Sequence, residues 1–259
     1  MHLAGIQFDI AWENRAANFA KVTALLERNP PPRGSLVALP EMFPSGFSMN
    51  VAAIAEDEAR SIEKFCRDIA RRFGTYLIAG LTVRAGGDRG RNESLIMTPS
   101  GEVLARYHKL HPYADERNHY LAGAEIVTFK WNDATVSPFI CYDLRFPEAF
   151  RAAMQRGAEV MVVIANWPVT RIEHWLTLAR ARAIENQCYV LAVNRIGVDP
   201  NVSYCGRSMI VDFRGDVIAD AGGEEAIITA PIDLAALRKY RADLPFLIDA
   251  RGDLNPPKR

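Results

Sequence analysis

The sequence predicts an α/β domain with a mixed β-structure, arranged as two sheets packed face to face with helices outside. Three observations carry that expectation. Short apolar runs rich in Val, Ile and Leu alternate with longer amphipathic stretches over most of the 259 residues. Two further stretches read as β-hairpins around a glycine turn. No low-complexity linker interrupts the pattern, since PPPR at 30–33 is only a short loop, so one domain is expected over residues 1–259.

Residues 3–10, 35–40, 76–83, 159–166 and 189–196 are expected to be buried strands, because each is short, apolar and bounded by turn or helix signals. Helical spacing marks 14–28, 57–73, 147–156 and 171–187. The third of these opens on Pro147, suited to a first helical turn, and closes before Gly157. The hairpins are SLIMTPSGEVLARYHK (94–109) and RSMIVDFRGDVIADAG (207–222). Each joins two strands across G-[ED]-V, and this recurrence in both halves points to an internal pseudo-repeat.

Composition excludes several classes. The 31 basic residues balance the 31 acidic ones, so no net field is available to hold nucleic acid or an anionic membrane surface. Four cysteines, Cys66, Cys141, Cys188 and Cys205, lack C-x-x-C spacing, and no disulfide framework is expected. The start, MHLAGIQFDIAWEN, has no basic segment leading into a long apolar stretch, and no apolar run reaches membrane-spanning length. A reducing, cytoplasmic setting is therefore expected. There is no glycine-rich phosphate loop and no G-x-G-x-x-G after a strand, so no nucleotide cofactor is implied. His108, His111 and His119 do not make a metal site on this spacing, because H-x-x-H in a strand–loop segment presents its rings poorly to one ion.

Three residues invite a chemical reading. Cys141 ends the apolar run VSPFI and precedes the helix start at Pro147, a strand-to-helix turn of the kind that presents nucleophiles. A buried core cysteine is the bland alternative. Glu41 follows SLVALP and precedes MFPSGF, which places a carboxylate at a cleft edge for general base work, or merely in a solvated loop. Lys109 ends the first hairpin in RYHKLHPY; it can serve an oxyanion or snorkel to solvent from a strand end. Phe43 and Trp167 are candidates to wall a small pocket, with core packing as the alternative. Arg171, four residues past Trp167, is the candidate cation for a substrate carboxylate. Arg145 is its rival, although its motif suggests a framework ion pair.

Taken together these sites resemble the nitrilase superfamily, whose members carry Glu, Lys and Cys in that order within LPE-[ML]-F, Y-x-K-x-H-x-[FY] and C-Y-D-x-R-F-P motifs. Here they read LPEMF (39–43), YHKLHPY (107–113) and CYDLRFP (141–147). ADERNHYLAG (114–123), NWPVTRIEHW (166–175) and KYRADLPFLIDAR (239–251) look most like the omega-amidase branch. The resemblance implies a four-layer α-β-β-α sandwich assembled as a homodimer or larger, for which the aliphatic and aromatic positions of 171–187 suit a packing face. It also implies that Glu41 deprotonates Cys141, that the thiolate attacks a small-molecule amide, and that Lys109 and the backbone N–H of Tyr142 hold the oxyanion. Glu116, seven residues past Lys109, matches a second glutamate that positions the substrate amide.

Other readings stay open at this point. One is a different carbon–nitrogen hydrolase acting on N-carbamoyl compounds or aliphatic amides. Another is a Cys–His dyad using His119 or His174. A third is non-enzymatic, either a nitrilase-like scaffold or a thiol redox sensor built on Cys141.

Overall fold

The computed structural model describes residues 1–251; the remainder of the expected domain, 252–259, lies outside the described residues. The first sheet contains β1 (His2–Gln7), β2 (Leu36–Ala38), β3 (Tyr76–Gly86), β4 (Arg89–Met97), β5 (Val103–His108) and β14 (Ala226–Pro231), in the order β14-β1-β2-β3-β4-β5. The second contains β6 (Phe129–Trp131), β7 (Ala134–Ile140), β8 (Val160–Ile164), β9 (Tyr189–Val193), β12 (Met209–Val211) and β13 (Val217–Asp220), in the order β13-β12-β9-β8-β7-β6. A separate two-stranded sheet pairs β10 (Ile196–Val198) with β11 (Ser203–Cys205).

The two large sheets repeat one topology. In each, three parallel strands are followed by an antiparallel hairpin on one side and a single antiparallel strand on the other. The predicted hairpins are β4–β5 and β12–β13, the matching arms of this repeat. Parallel strands need crossovers. These are supplied by α1 (Arg15–Arg28) and α3 (Ser61–Phe73) in the first half, and by α5 (Pro147–Gln155) and α6 (Ile172–Asn186) in the second. Short helices α2 (Val51–Ile54) and α4 (Glu116–His119) lie in loops, and α7 (Leu234–Asp243) follows β14.

Alternation along the strands builds the layers. Leu3, Leu36 and Ile78 point into the core shared with the second sheet, while Ala4, Ile6, Val37 and Leu77 pack against Val22, Leu26, Ile62 and Ile69 of α1 and α3. Both faces of the first sheet are thus buried, which is why its strands read as continuous apolar runs. Phe150 of α5 and Trp175 of α6 cover the outer face of the second sheet. The result is the expected α-β-β-α sandwich. Gly5 sets the spacing between its leaves, because a Cβ there would stand 2.9 Å from Val193 of β9.

One predicted helix is shorter than expected. Residues 57–60 stay outside α3 because acidic side chains cap it: Glu56 accepts from the N–H groups of Ile62 and Glu63, and Asp57 from that of Ser61. The three-residue strands β6, β10 and β11, and the edge strand β14, were absent from the sequence reading.

Candidate active site

Glu41 lies just beyond β2. Its segment stays bonded to the neighbouring strand, with the N–H groups of Leu39 and Phe43 donating to Ile78 and Gly80 of β3. Gly80 has to be glycine, since a Cβ there would sit 2.6 Å from the Glu41 Cα. Glu41 is fully buried; it lies beneath the cleft, not at its edge as the sequence suggested. Lys109 and Glu116 are likewise 1% and 0% exposed, which removes the solvated alternatives for Glu41 and Lys109.

These charges form one lattice. Lys109 Nζ donates to Glu41 Oε1 at 2.9 Å and to Glu116 Oε2 at 2.8 Å. Asn92 Nδ2 donates to both carboxylates, at 2.7 Å to Glu41 and 2.9 Å to Glu116. The other Glu41 oxygen accepts from the Asn166 N–H at 2.9 Å. Burial works against the Lys109 ammonium, but Glu116 and Glu41 outweigh it and hold the group well above the ordinary lysine range. Burial, partly countered by Lys109 and reinforced by Glu41, pushes the Glu116 carboxyl up. Removing either partner would strand a buried charge, which costs about 3–5 kcal/mol.

Cys141 sits where β7 runs into a turn of 3₁₀ helix, Cys141–Arg145. Its φ of 47° is the left-handed conformation that a non-glycine residue adopts only when its surroundings enforce it. Asp143 supplies much of the enforcement. Its carboxylate accepts from the Ile140 N–H, the Tyr107 hydroxyl, and the backbone and ring nitrogens of His111. One buried anion thereby ties the Cys141 turn to the segment following Lys109. The thiol, 9% exposed, donates to the Asn166 carbonyl at 3.8 Å. Burial and then Glu41 push it well above the ordinary thiol range, against the pull of Lys109. The resting group is therefore a neutral thiol beside a carboxylate.

Cys141 opens into a cleft of about 490 Å³. Its walls are Phe47, Tyr113, Tyr142, Trp167, Pro168, Val202 and Tyr204, and its charged lining groups are Arg145 and Arg171. Arg171 lies 5.6 Å from the Tyr113 ring centroid, and Arg145 lies 4.8 Å from that of Trp167. Arg145 donates to His174 Nδ1 at 3.2 Å. Among the described residues neither arginine is paired with a carboxylate, so the framework ion pair expected for Arg145 is not formed and its cation faces the cleft. Phe43 is also placed differently from expectation. It packs against the stacked Phe19–Phe65 pair in the core beneath the first sheet, and Phe47 takes the place at the wall.

The remaining histidines are engaged elsewhere. His108 meets Glu93, His111 meets Asp143 and His119 meets Asp115, three separate carboxylates, and His174 accepts from Arg145. Neither His119 nor His174 is presented to Cys141. Among the described residues no group of three potential metal ligands is assembled, all four cysteines are unpaired, and no helix is long and apolar enough to cross a membrane.

Sequence reasoning missed Asn92 and the supporting role of Asn166; it marked Asp143 only as a polar neighbour of Cys141. Asn194 was missed too: its side chain takes the Trp167 N–H at 2.7 Å and donates to the Trp167 carbonyl at 3.1 Å, clamping the turn that carries Asn166.

Comparison with known proteins places this geometry in context. Residues 2–242 match the carbon-nitrogen hydrolase family. The chain is 36% identical to the 2-oxoglutaramate amidase of Bacillus subtilis over 96% of its own length and 97% of that protein. It is 38% identical to the omega-amidase YafV of Yersinia enterocolitica over 96% of each. A solved CN-hydrolase superfamily protein from Xanthomonas campestris, carrying an arsenic adduct in its active site, superposes with a TM-score of 0.90 at 34% identity, covering 99% of both chains.

Proposed function

The chain belongs to the carbon-nitrogen hydrolase family of the nitrilase superfamily, and from that premise we propose that it hydrolyses the ω-amide of a small 2-oxo acid, such as 2-oxoglutaramate, to a carboxylate and ammonia. The observation that carries the reading is the juxtaposition of the Glu41–Lys109–Glu116 lattice with the Cys141 thiol in a cleft whose charged lining is two arginines that, among the described residues, no carboxylate pairs. A carboxylate at the far end of a short amide has a bidentate partner there, and an aromatic wall suits the chain between.

The residues divide the chemistry as follows. Glu41 takes the thiol proton as Cys141 Sγ bonds to the amide carbon. The carbonyl oxygen becomes an oxyanion, held by Lys109 and the backbone N–H of Tyr142. Two of the three Lys109 protons are engaged by Glu41 and Glu116, and the third serves this oxygen. The C–N bond then breaks, with the Glu41 proton leaving on ammonia. Water, deprotonated by Glu41, attacks the thioester, and the thiol returns with the new carboxylic acid. Glu116 holds Lys109 and orients the amide nitrogen. Trp167 and Phe47 shape the chain pocket, and Arg171, with Arg145 beside it, binds the carboxylate.

The whole chain is read as one domain. Four unpaired cysteines fit a reducing cytoplasm. Exposed Ile184 and half-buried Leu176 and Leu178, all on α6, support a homodimer or larger assembly, checked by sedimentation at micromolar concentration. The functional test is ammonia release from 2-oxoglutaramate, with the thioester on Cys141 trapped and weighed by mass spectrometry. Turnover only of N-carbamoyl amines or plain aliphatic amides would replace the proposed substrate.

A further inference from the structure

Part of the cleft wall is built by the β10–β11 hairpin, which lies outside both large sheets. A two-stranded ribbon on its own is only marginally stable, yet this one delivers Val202 and Tyr204 to the cleft. Backbone pairing of Ile196 with Phe8 and Asp9 joins it to the body at its base, and Arg195, with a side chain 0% exposed, adds a side-chain tie that reaches further along it. Its Nε donates to Ile196 O at 2.9 Å, and its Nη2 reaches Val198 O at 3.3 Å in the same ribbon. That Nη2 also donates to Asp9 Oδ1 and Ile10 O, each at 3.0 Å, beyond the end of β1. The guanidinium lies 4.6 Å from the Tyr204 ring centroid, on the side of the ring that its cation supports. Nη1 has no partner among the described residues and lies against Gly46, in the loop that carries Phe47.

The ribbon is preset on its other side as well. The Tyr204 hydroxyl donates to Asp199 Oδ2 at 2.6 Å, and Asp199 Oδ1 accepts from the N–H groups of Asn201 and Val202. Gly197, with φ of 86°, passes so close to Asp9 that a Cβ would stand 1.9 Å from Oδ1. A buried cation is expensive to desolvate, and an aliphatic residue would fill the same volume. What an aliphatic side chain cannot supply is a planar fork reaching three segments at once.

We infer that Arg195 is a positioning residue that sets the distance from Cys141 to the Tyr204 wall, and that this wall selects substrates by the length of the acyl chain. The inference rests on the amidase reading of the cleft but not on the 2-oxo acid as substrate. Two homologous series separate them: 2-oxo acid ω-amides of four, five and six carbons, and unsubstituted aliphatic amides of matching length. Failure of the 2-oxo series with turnover of the aliphatic one rejects the proposed substrate and leaves the chain-length test intact.

In whichever series the wild type turns over, Arg195→Met should raise KM for the preferred length on the order of tenfold, as loss of a desolvated cation–π contact allows, with kcat within about twofold. The preference among lengths should flatten or move to a longer chain. Arg195→Lys, keeping the charge over the ring, should restore part of the preference, and Tyr204→Ala should flatten it with Arg195 intact. Equal loss of kcat at every length, or an unmoved length preference in both Arg195→Met and Tyr204→Ala, overturns the proposal. Should Arg195→Met fail to fold, Tyr204→Ala decides it.

Discussion

The β4–β5 and β12–β13 arms carry the same turn signal and occupy the same place in their sheets, yet one ends in the buried charge lattice and the other at the surface. Each second strand opens with two exposed apolar residues, Val103 and Leu104 in β5, Val217 and Ile218 in β13. The arms diverge after that. The β5 strand runs through buried Tyr107 to Lys109, whose N–H bonds Asn92 across the hairpin. The β13 strand runs to Asp220, an exposed residue paired with Arg207. Local sequence therefore specifies the arm, whereas chemistry is specified by what the arm's end meets. Lys109 meets the loop closed by Gly123, whose N–H donates to Lys109 O at 2.7 Å and whose Cβ would collide with His108 O. Beyond Asp220 the chain passes through a short loop, held by Gln7, into β14.

The contrast can be broken first at the nucleophile. Cys141→Ala should abolish ammonia release while the melting curve stays close to wild type, since little volume is lost; residual turnover above the level of a Lys109 variant would place the nucleophile elsewhere. Next, Lys109→Ala and Glu41→Gln should each lower kcat by at least about 10²–10³. Asp220→Asn on the opposite arm should leave kcat unchanged and cost under about 1 kcal/mol, because its ion pair is partly exposed. Steady-state kinetics beside denaturant melts separates these outcomes, and a kinetic defect in Asp220→Asn would erase the contrast.

The neutral thiol gives a third test. With Cys205, the half-buried thiol, replaced by serine, modification of Cys141 by methyl methanethiosulfonate should accelerate about tenfold per pH unit from pH 7 to 9. The sign follows from a raised pKa: thiolate is the minor form throughout that range, so its fraction climbs with pH. A rate already level at pH 7 would mean a resting thiolate. The smallest expected effect is at the rim. Arg171→Met should raise KM for 2-oxoglutaramate about tenfold, from the loss of a charge-assisted contact, while an uncharged amide of similar length changes much less. Equal loss on both would make Arg171 structural.

The strand ends bearing Glu41, Lys109 and Cys141 were legible because Glu41 and Cys141 each close an apolar run and Lys109 ends a hairpin, and their order carried the family resemblance. Asn92 was not legible, since β4 begins well before the apolar residues that announced the hairpin, and only the register places Asn92 beside Lys109. Asp143 looks like an ordinary turn residue until Tyr107 and His111 are brought to it from the other sheet. Phe43 and Phe47 were indistinguishable in a loop without periodicity; the positive φ of Met42 turns the chain between Glu41 and Phe43. The arginines were visible as cations, but whether each had a carboxylate partner depended on packing.

The topological repeat also fixes an order of events. Every charged member of the lattice, Glu41, Lys109 and Glu116, belongs to the first 116 residues, whereas the thiol, Asn166 and both cleft arginines come from the second half of the chain. A ribosome releases them in that sequence. On the proposed mechanism, the acid–base groups leave the exit tunnel with nothing to activate, and the sulfur follows before its own supporting strands β8 and β9 exist. Chemical competence would then begin only when the second leaf closes on the first, which keeps an incomplete chain silent.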